Sequence, residues 1–136
     1  VGEYTATTIP PFQHESFGDN LRRCQRYYEK SSPYGTIEGA GTNPGIRITT
    51  GSNDAGGVSY QWHQFKVEKR DTPTMATWAP NGEAGKWSSS STSAASANRT
   101  ATATGPNTAS FYIAVNVTGA HVVSQIFGHY KADSEL

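Results

Sequence analysis

The sequence predicts an all-β fold, a jelly-roll-like β-sandwich of about eight strands with one short helix at the N-terminal side. Three observations lead there. Glycine, serine and threonine are abundant while only 16% of the residues are charged. Apolar and polar residues alternate in several short runs, as in "IRITT" and "ASFYIAVNV", which is the period of a half-buried strand. Turn residues interrupt these runs roughly every eight to twelve positions, the spacing of a sandwich or barrel.

The totals narrow the function classes. A chain of 136 residues is one domain able to bury a core of its own. Its single cysteine, Cys24, excludes an internal disulfide, so packing or partner subunits must stabilise it. A formal net charge of +0 argues against a nucleic-acid module, which needs a basic excess to neutralise phosphates. It also removes electrostatic attraction to an anionic membrane, and no apolar run approaches the roughly 18 residues of a spanning helix. The chain opens on Val1, and we read it as the C-terminal piece of something longer. Residues 1–16 read as an arm or linker from a preceding domain and residues 17–136 as the knob domain.

In the arm, Thr5, Thr7, Thr8 and Ile9 favour extension, and Pro10-Pro11 forbids helix. A helix is expected up to Gln25, with Ser16 or Asp19 as its N-cap and Leu21 and Cys24 on one face. Tyr27-Tyr28 suits a pleated surface instead, and Ser31-Ser32-Pro33 stops what they begin. The predicted order is a short helix feeding directly into a first strand. After a glycine-rich loop, "IRITT" alternates with Ile46 and Ile48 inward.

"VSYQWHQFKVEKR" is the longest strand signal. Its apolar set shifts from even positions (Val58, Tyr60, Trp62) to odd ones (Phe65, Val67) around His63-Gln64. One extra residue in a bulge would produce that shift, and so would two covered faces, as at a subunit interface. "TPTMATWAP" is a strand entered through Pro73 and left through Pro80. Residues 88–104 are low in complexity, with mobility expected first and a strand in "RTATAT". "ASFYIAVNV" and "HVVSQIFGHYKA" are the last two strands, apolar enough to be central.

No residue pattern supplies catalysis. The histidines His14, His63, His121 and His129 form no ligand pair, so no metal and no cofactor are expected. Cys24 reads as a small buried hydrophobe. No G-x-S-x-G is present, and the chain reads as a non-enzyme. Tryptophans offer more: Trp62, Trp78 and Trp87, with Tyr34 and Tyr60, make either core or a sugar-stacking platform. Trp62 and Trp78 have the strand context of core, and Trp87, after Gly85-Lys86, is expected to be the most exposed. Loop residues Tyr34, Asn53, Asp54, Asn81 and Trp87 are therefore the candidate ligand contacts. Arg22 and Arg26 share a helix face at i, i+4. With Tyr27 and Tyr28 they are candidate subunit contacts, since guanidinium forks suit carboxylates of a neighbour; a solvated basic face is the other reading.

"FQHESFGDNLRRCQRYYEKS", residues 12–31, resembles the segment that opens a C-terminal domain in tail-fibre, receptor-binding and head-decoration proteins of tailed bacteriophages. Phe12, Ser16, Gly18, Leu21, Cys24, Gln25, Arg26, Tyr27 and Tyr28 match that pattern. "QFKVEKRDTPT" at 64–74 and "GHYKADSEL" at 128–136 are similar to later parts of the same domains; residues 35–60 and 80–110 carry no likeness. The resemblance implies a β-rich virion structural domain, a homotrimer in contact with other virion proteins, on a tail fibre or a capsid surface. It implies no catalytic residue. A distal tail-fibre knob binding a bacterial surface carbohydrate is the expected function. A head-decoration protein is the alternative, and a glycan-cleaving tail protein a third.

Overall fold

Among the described residues, regular structure starts where the Ser16 side chain satisfies the first turn of a helix. In the computed structural model, which describes residues 15–36, 46–53, 57–91, 97–116 and 123–135, Ser16 Oγ accepts from the Asp19 backbone N–H at 3.2 Å and donates to Asp19 Oδ2 at 2.6 Å. Helix α1 (Phe17–Gln25) follows, with Asp19 in its first turn and Arg22 and Arg23 in its last, both placements favourable to the helix dipole. Cys24 is exposed rather than buried, because α1 lies on the surface and buries only Gln25. Strand β1 (Tyr28–Lys30) begins three residues after the helix ends, so the junction is the predicted helix-to-strand handover.

Seven further strands are described: β2 (Ile46–Asn53), β3 (Val58–Gln64), β4 (Thr74–Trp78), β5 (Lys86–Ser91), β6 (Ala97–Thr104), β7 (Ser110–Asn116) and β8 (Val123–Asp133). All pairings are antiparallel, and β8 organises them. Along one edge of β8 lie β2 and then β1; along the other lie β5 and then β4. From β5 the sheet continues through β6 and β7 to β3. The sheet curls, so that residues following β3 return to the first strands. The Arg70 N–H donates to the Arg26 carbonyl at 2.8 Å, and the Lys66 N–H to Glu29 Oε2 at 3.1 Å. The fold is thus mostly β, a curled antiparallel sheet with one short N-terminal helix.

The concave side holds the core. Phe111, Ile113 and Val115 on β7, Ile126, Tyr130 and Ala132 on β8, Trp87 on β5, Ala101 on β6 and Phe65 beyond β3 are all buried. Phe111 stacks on Phe65 with centroids 5.0 Å apart and meets Tyr130 at 4.9 Å. Each large apolar side chain moved out of water here contributes about 1.5–3 kcal/mol. Trp87 fits because its partner strand carries no side chain at Gly128: the indole lies over that glycine and its Nε1 donates to the His129 carbonyl at 3.1 Å.

Two further expectations are corrected. The serine run was expected to begin with mobility, yet Lys86–Ser91 is an interior strand between β6 and β8. Serines fit there because they are small and can bond within the sheet: Ser88 Oγ donates to Asn98 Oδ1 at 2.5 Å. The turn that admits this strand is Gly85, whose φ of +68° suits glycine. Its N–H donates to the Thr77 carbonyl at 2.8 Å and its carbonyl accepts from Ala101 at 2.9 Å. The second correction concerns residues 58–70. No bulge reverses the strand, since β3 pairs with β7 without a shift from Val58↔Asn116 to Gln64↔Ser110. The change of parity arises because the strand ends, and Phe65 enters the core from an irregular segment.

Candidate functional site

The convex face of the sheet carries what the core does not. Phe111, Ile113 and Val115 take the concave side of β7, so Tyr112, Ala114 and Asn116 point away from it. Register carries that choice to β3, where Trp62 pairs with Tyr112, Tyr60 with Ala114 and Val58 with Asn116. It extends to β6, where Thr104 pairs with Tyr112 and Thr102 with Ala114. Tyr60 is 61% exposed, Trp62 51% and Tyr112 40%. The Trp62 and Tyr112 rings meet edge to face, centroids 4.7 Å apart at 69°, a geometry that holds both planes in place. On the inward side of the same strand Ser59 is buried and Gln61, between the two aromatics, is half-buried. β3 closes the strand order, so this aromatic and threonine surface sits at one margin of the sheet.

Comparison of the chain with protein-family models, curated proteins and solved structures finds no match.

The structure reverses the expected roles of the tryptophans. Trp87 is 0% exposed and presents no ring face to a ligand, because the sheet closes over it from β6 and β8. Trp62, expected in the core, is a surface residue, because the inward side of β3 belongs to Ser59 and His63. The other candidate contacts are not brought together. Tyr34 is exposed near the end of α1, its hydroxyl accepting from Gln25 Nε2 at 2.9 Å. Asn81 lies in the β4–β5 turn, where its Oδ1 accepts from Asn98 Nδ2 at 3.0 Å and from the Glu83 N–H at 3.2 Å. Asn53 ends β2, and Asp54 lies outside the described residues. Arg22 and Arg26 are exposed, and the Tyr27 and Tyr28 rings are covered from within the chain by Arg70 at 5.6 Å and Lys131 at 5.5 Å.

A second cluster lies inside the curl, where β1, β8 and the end of β3 converge. Lys69 Nζ is 2.7 Å from Glu29 Oε2 and both side chains are fully buried. The ammonium also donates to the Gln25 carbonyl at 2.6 Å and lies 4.7 Å from the Phe65 ring centroid. Glu29 Oε1 accepts from the Tyr130 hydroxyl at 2.7 Å, and that hydroxyl is 3.0 Å from His63 Nε2. Since the Tyr130 proton points at Glu29, His63 Nε2 is the donor to the Tyr130 oxygen. Burial, reinforced by Glu29, pushes the Tyr130 hydroxyl far above the ordinary phenol range, so it stays a donor. Neither Glu29 nor Lys69 stood out in the sequence, where both read as ordinary solvated charges. Among the described residues no group of three or more His, Cys, Asp or Glu side chains is placed to hold a metal.

His63 makes this cluster sensitive to acid. Burial lowers its pKa, Glu29 opposes the shift and Lys66 adds to it. The folded chain therefore binds the proton less readily than the unfolded chain, whose histidine titrates near about 6.5. Its contribution is fully present above that value and is lost as pH falls through the lower folded-state value. Melting temperature is expected to drop between about pH 7 and about pH 5, and His63→Gln, which keeps an N–H for Tyr130, to flatten that drop. Parallel melting curves for the two proteins across this range would refute the assignment.

Proposed function

We propose that the chain is an adhesive structural domain of a tailed-bacteriophage virion: a knob at the distal end of a tail fibre that recognises a host-surface glycan through its convex sheet face. One observation carries the reading. Tyr60, Trp62 and Tyr112 stand exposed on an antiparallel sheet, with the Thr104 hydroxyl on the strand beside Tyr112. Aromatic faces accept the apolar C–H side of a pyranose ring, and neighbouring hydroxyls and amides take its polar edge. Nothing in this mode of binding needs a reactive group, which fits a non-enzyme. The opening motif, Ser16 to Tyr28, supports the virion setting and homotrimeric assembly by its resemblance to tail-fibre and receptor-binding proteins. The same reading treats the curled sheet as a jelly-roll relative.

Capsid decoration is the second reading, favoured by the position of the apolar side chains Val58, Tyr60 and Trp62 on the terminal strand of the sheet. Such a strip also suits burial against a neighbouring protein. A glycan array separates the two. Wild-type protein is expected to bind, and Trp62→Ala to lose about tenfold or more in affinity, with a stability change under about 1.5 kcal/mol. An array without any binder, together with copies that stay on heads after tails are sheared off, would favour decoration. Sedimentation of the isolated domain as a 14.6 kDa species would remove the trimer.

A further inference from the structure

The convex aromatic strip continues past β6 into a groove. Tyr60, Ala114 and Thr102 form one cross-strand row over β3, β7 and β6, and Thr102 is also a wall of a groove of about 280 Å³. The groove exists because β5 starts at Lys86, opposite Thr100, leaving the end of β6 beside β4 with no ladder between them. The Gly85 N–H donates to the Thr77 carbonyl, the Ala101 N–H to the Gly85 carbonyl and the Thr77 hydroxyl to the Ala101 carbonyl just before the two strands part. Small side chains at Ala76, Ala84 and Ala103 keep the gap open, and half-buried Trp78 forms one side. Met75 packs against the core, so the alternate residues Ala76 and Trp78 face the convex side with Thr102.

At about 4.8 Å between strands, Tyr60 and Thr102 lie about 10 Å apart, further than a single sugar ring reaches. Charge then selects the ligand. Among the described residues no Asp, Glu, Lys or Arg lines the groove, and none stands in the rows of Tyr60 or Trp62. In the polar cleft nearby, lined by Lys86, Asn98, Arg99, Thr100 and Asn116, the two cations already have partners within the chain. Glu83 lies 3.9 Å from Lys86 and accepts from Asn98 at 2.7 Å, while Arg99 Nε donates to Ser89 at 3.4 Å.

We infer that the strip and the groove are one extended site for an uncharged oligosaccharide laid across the strands, with aromatic contacts at Trp62–Tyr112 and at Trp78 and with Thr102 between them. This rests on the glycan reading above. The test is calorimetric titration with oligomers of neutral hexoses and of uronic acids, matched in length, against wild type, Trp62→Ala and Thr102→Arg. Thr102 is exposed, so its replacement leaves the melting temperature unchanged. Neutral oligomers are expected to bind more tightly as they lengthen. Thr102→Arg removes about tenfold of affinity from the longest oligomers and none from the shortest, whereas Trp62→Ala weakens all of them. Tighter binding of uronic acid oligomers, an affinity independent of length, or an unaffected Thr102→Arg would overturn the extended neutral site and leave the adhesin reading standing. Failure of every oligomer to bind wild type would remove both.

Discussion

Lys69→Met is expected to lower the free energy of unfolding by about 3–5 kcal/mol, the usual cost of breaking a buried ion pair by removing one member. The Lys69 ammonium satisfies Glu29 Oε2 and the Gln25 carbonyl and rests against Phe65, in a place fully closed to solvent. Methionine fills the volume but leaves the Glu29 carboxylate buried beside two remaining donors, the Tyr130 hydroxyl and the Lys66 N–H. Water cannot replace the missing ammonium without opening the seam between β1 and the segment after β3. Urea unfolding of the two proteins measures the loss, and Glu29→Met/Lys69→Met is expected to recover part of it, since no lone charge is then buried. A loss below about 1 kcal/mol for the single change would mean that the pair is effectively solvated and does not close the curl.

Gly128→Ala is the second large effect, an expected loss of about 3 kcal/mol or more. A Cβ on Gly128 would lie closer than 3.0 Å to Cδ1, Cγ and Nε1 of Trp87. The indole cannot withdraw, because it is fully buried and held through Nε1 to the His129 carbonyl. It must leave its pocket or push β5 away from β8, and either event breaks up the core around Ile126 and Ile113. Thermal melting and the near-ultraviolet circular dichroism of the tryptophans read the outcome. An unchanged melting temperature with an unchanged aromatic spectrum would show that the close approach of Trp87 to β8 is wrong.

Both effects arise at places that chain order does not advertise. Glu29 and Lys69 are 40 residues apart, and each sits among other charges in "YEK" and "VEKR". Only the curl that returns the end of β3 to β1 makes them a pair. The candidate site was half legible. Trp62 and Tyr60 were in the aromatic set that suggested a sugar platform, but their exposure was not readable, and neither Tyr112 nor Thr102 had been picked out. Strand β5 was hidden for another reason: covered by β6 and β8, "WSSSS" has no need of apolar alternation, and its one anchor is Trp87.

Local chemistry alone determined the helix-to-strand handover at residues 16–30, the β class, the alternation of β6 and β7 and the existence of β8, because caps, β-branched side chains and period-two patterns act over a few neighbouring residues. Only the tertiary structure decided which face of β3 is inside. A period of two says which side chains share a face, and it is silent on which face meets the core. Here Phe111, Ile113 and Val115 on β7 fill the concave side, and the register then turns Tyr60 and Trp62 outward. Trp87 lies buried on the concave side, while Tyr60, Trp62 and Tyr112 are left on the convex surface.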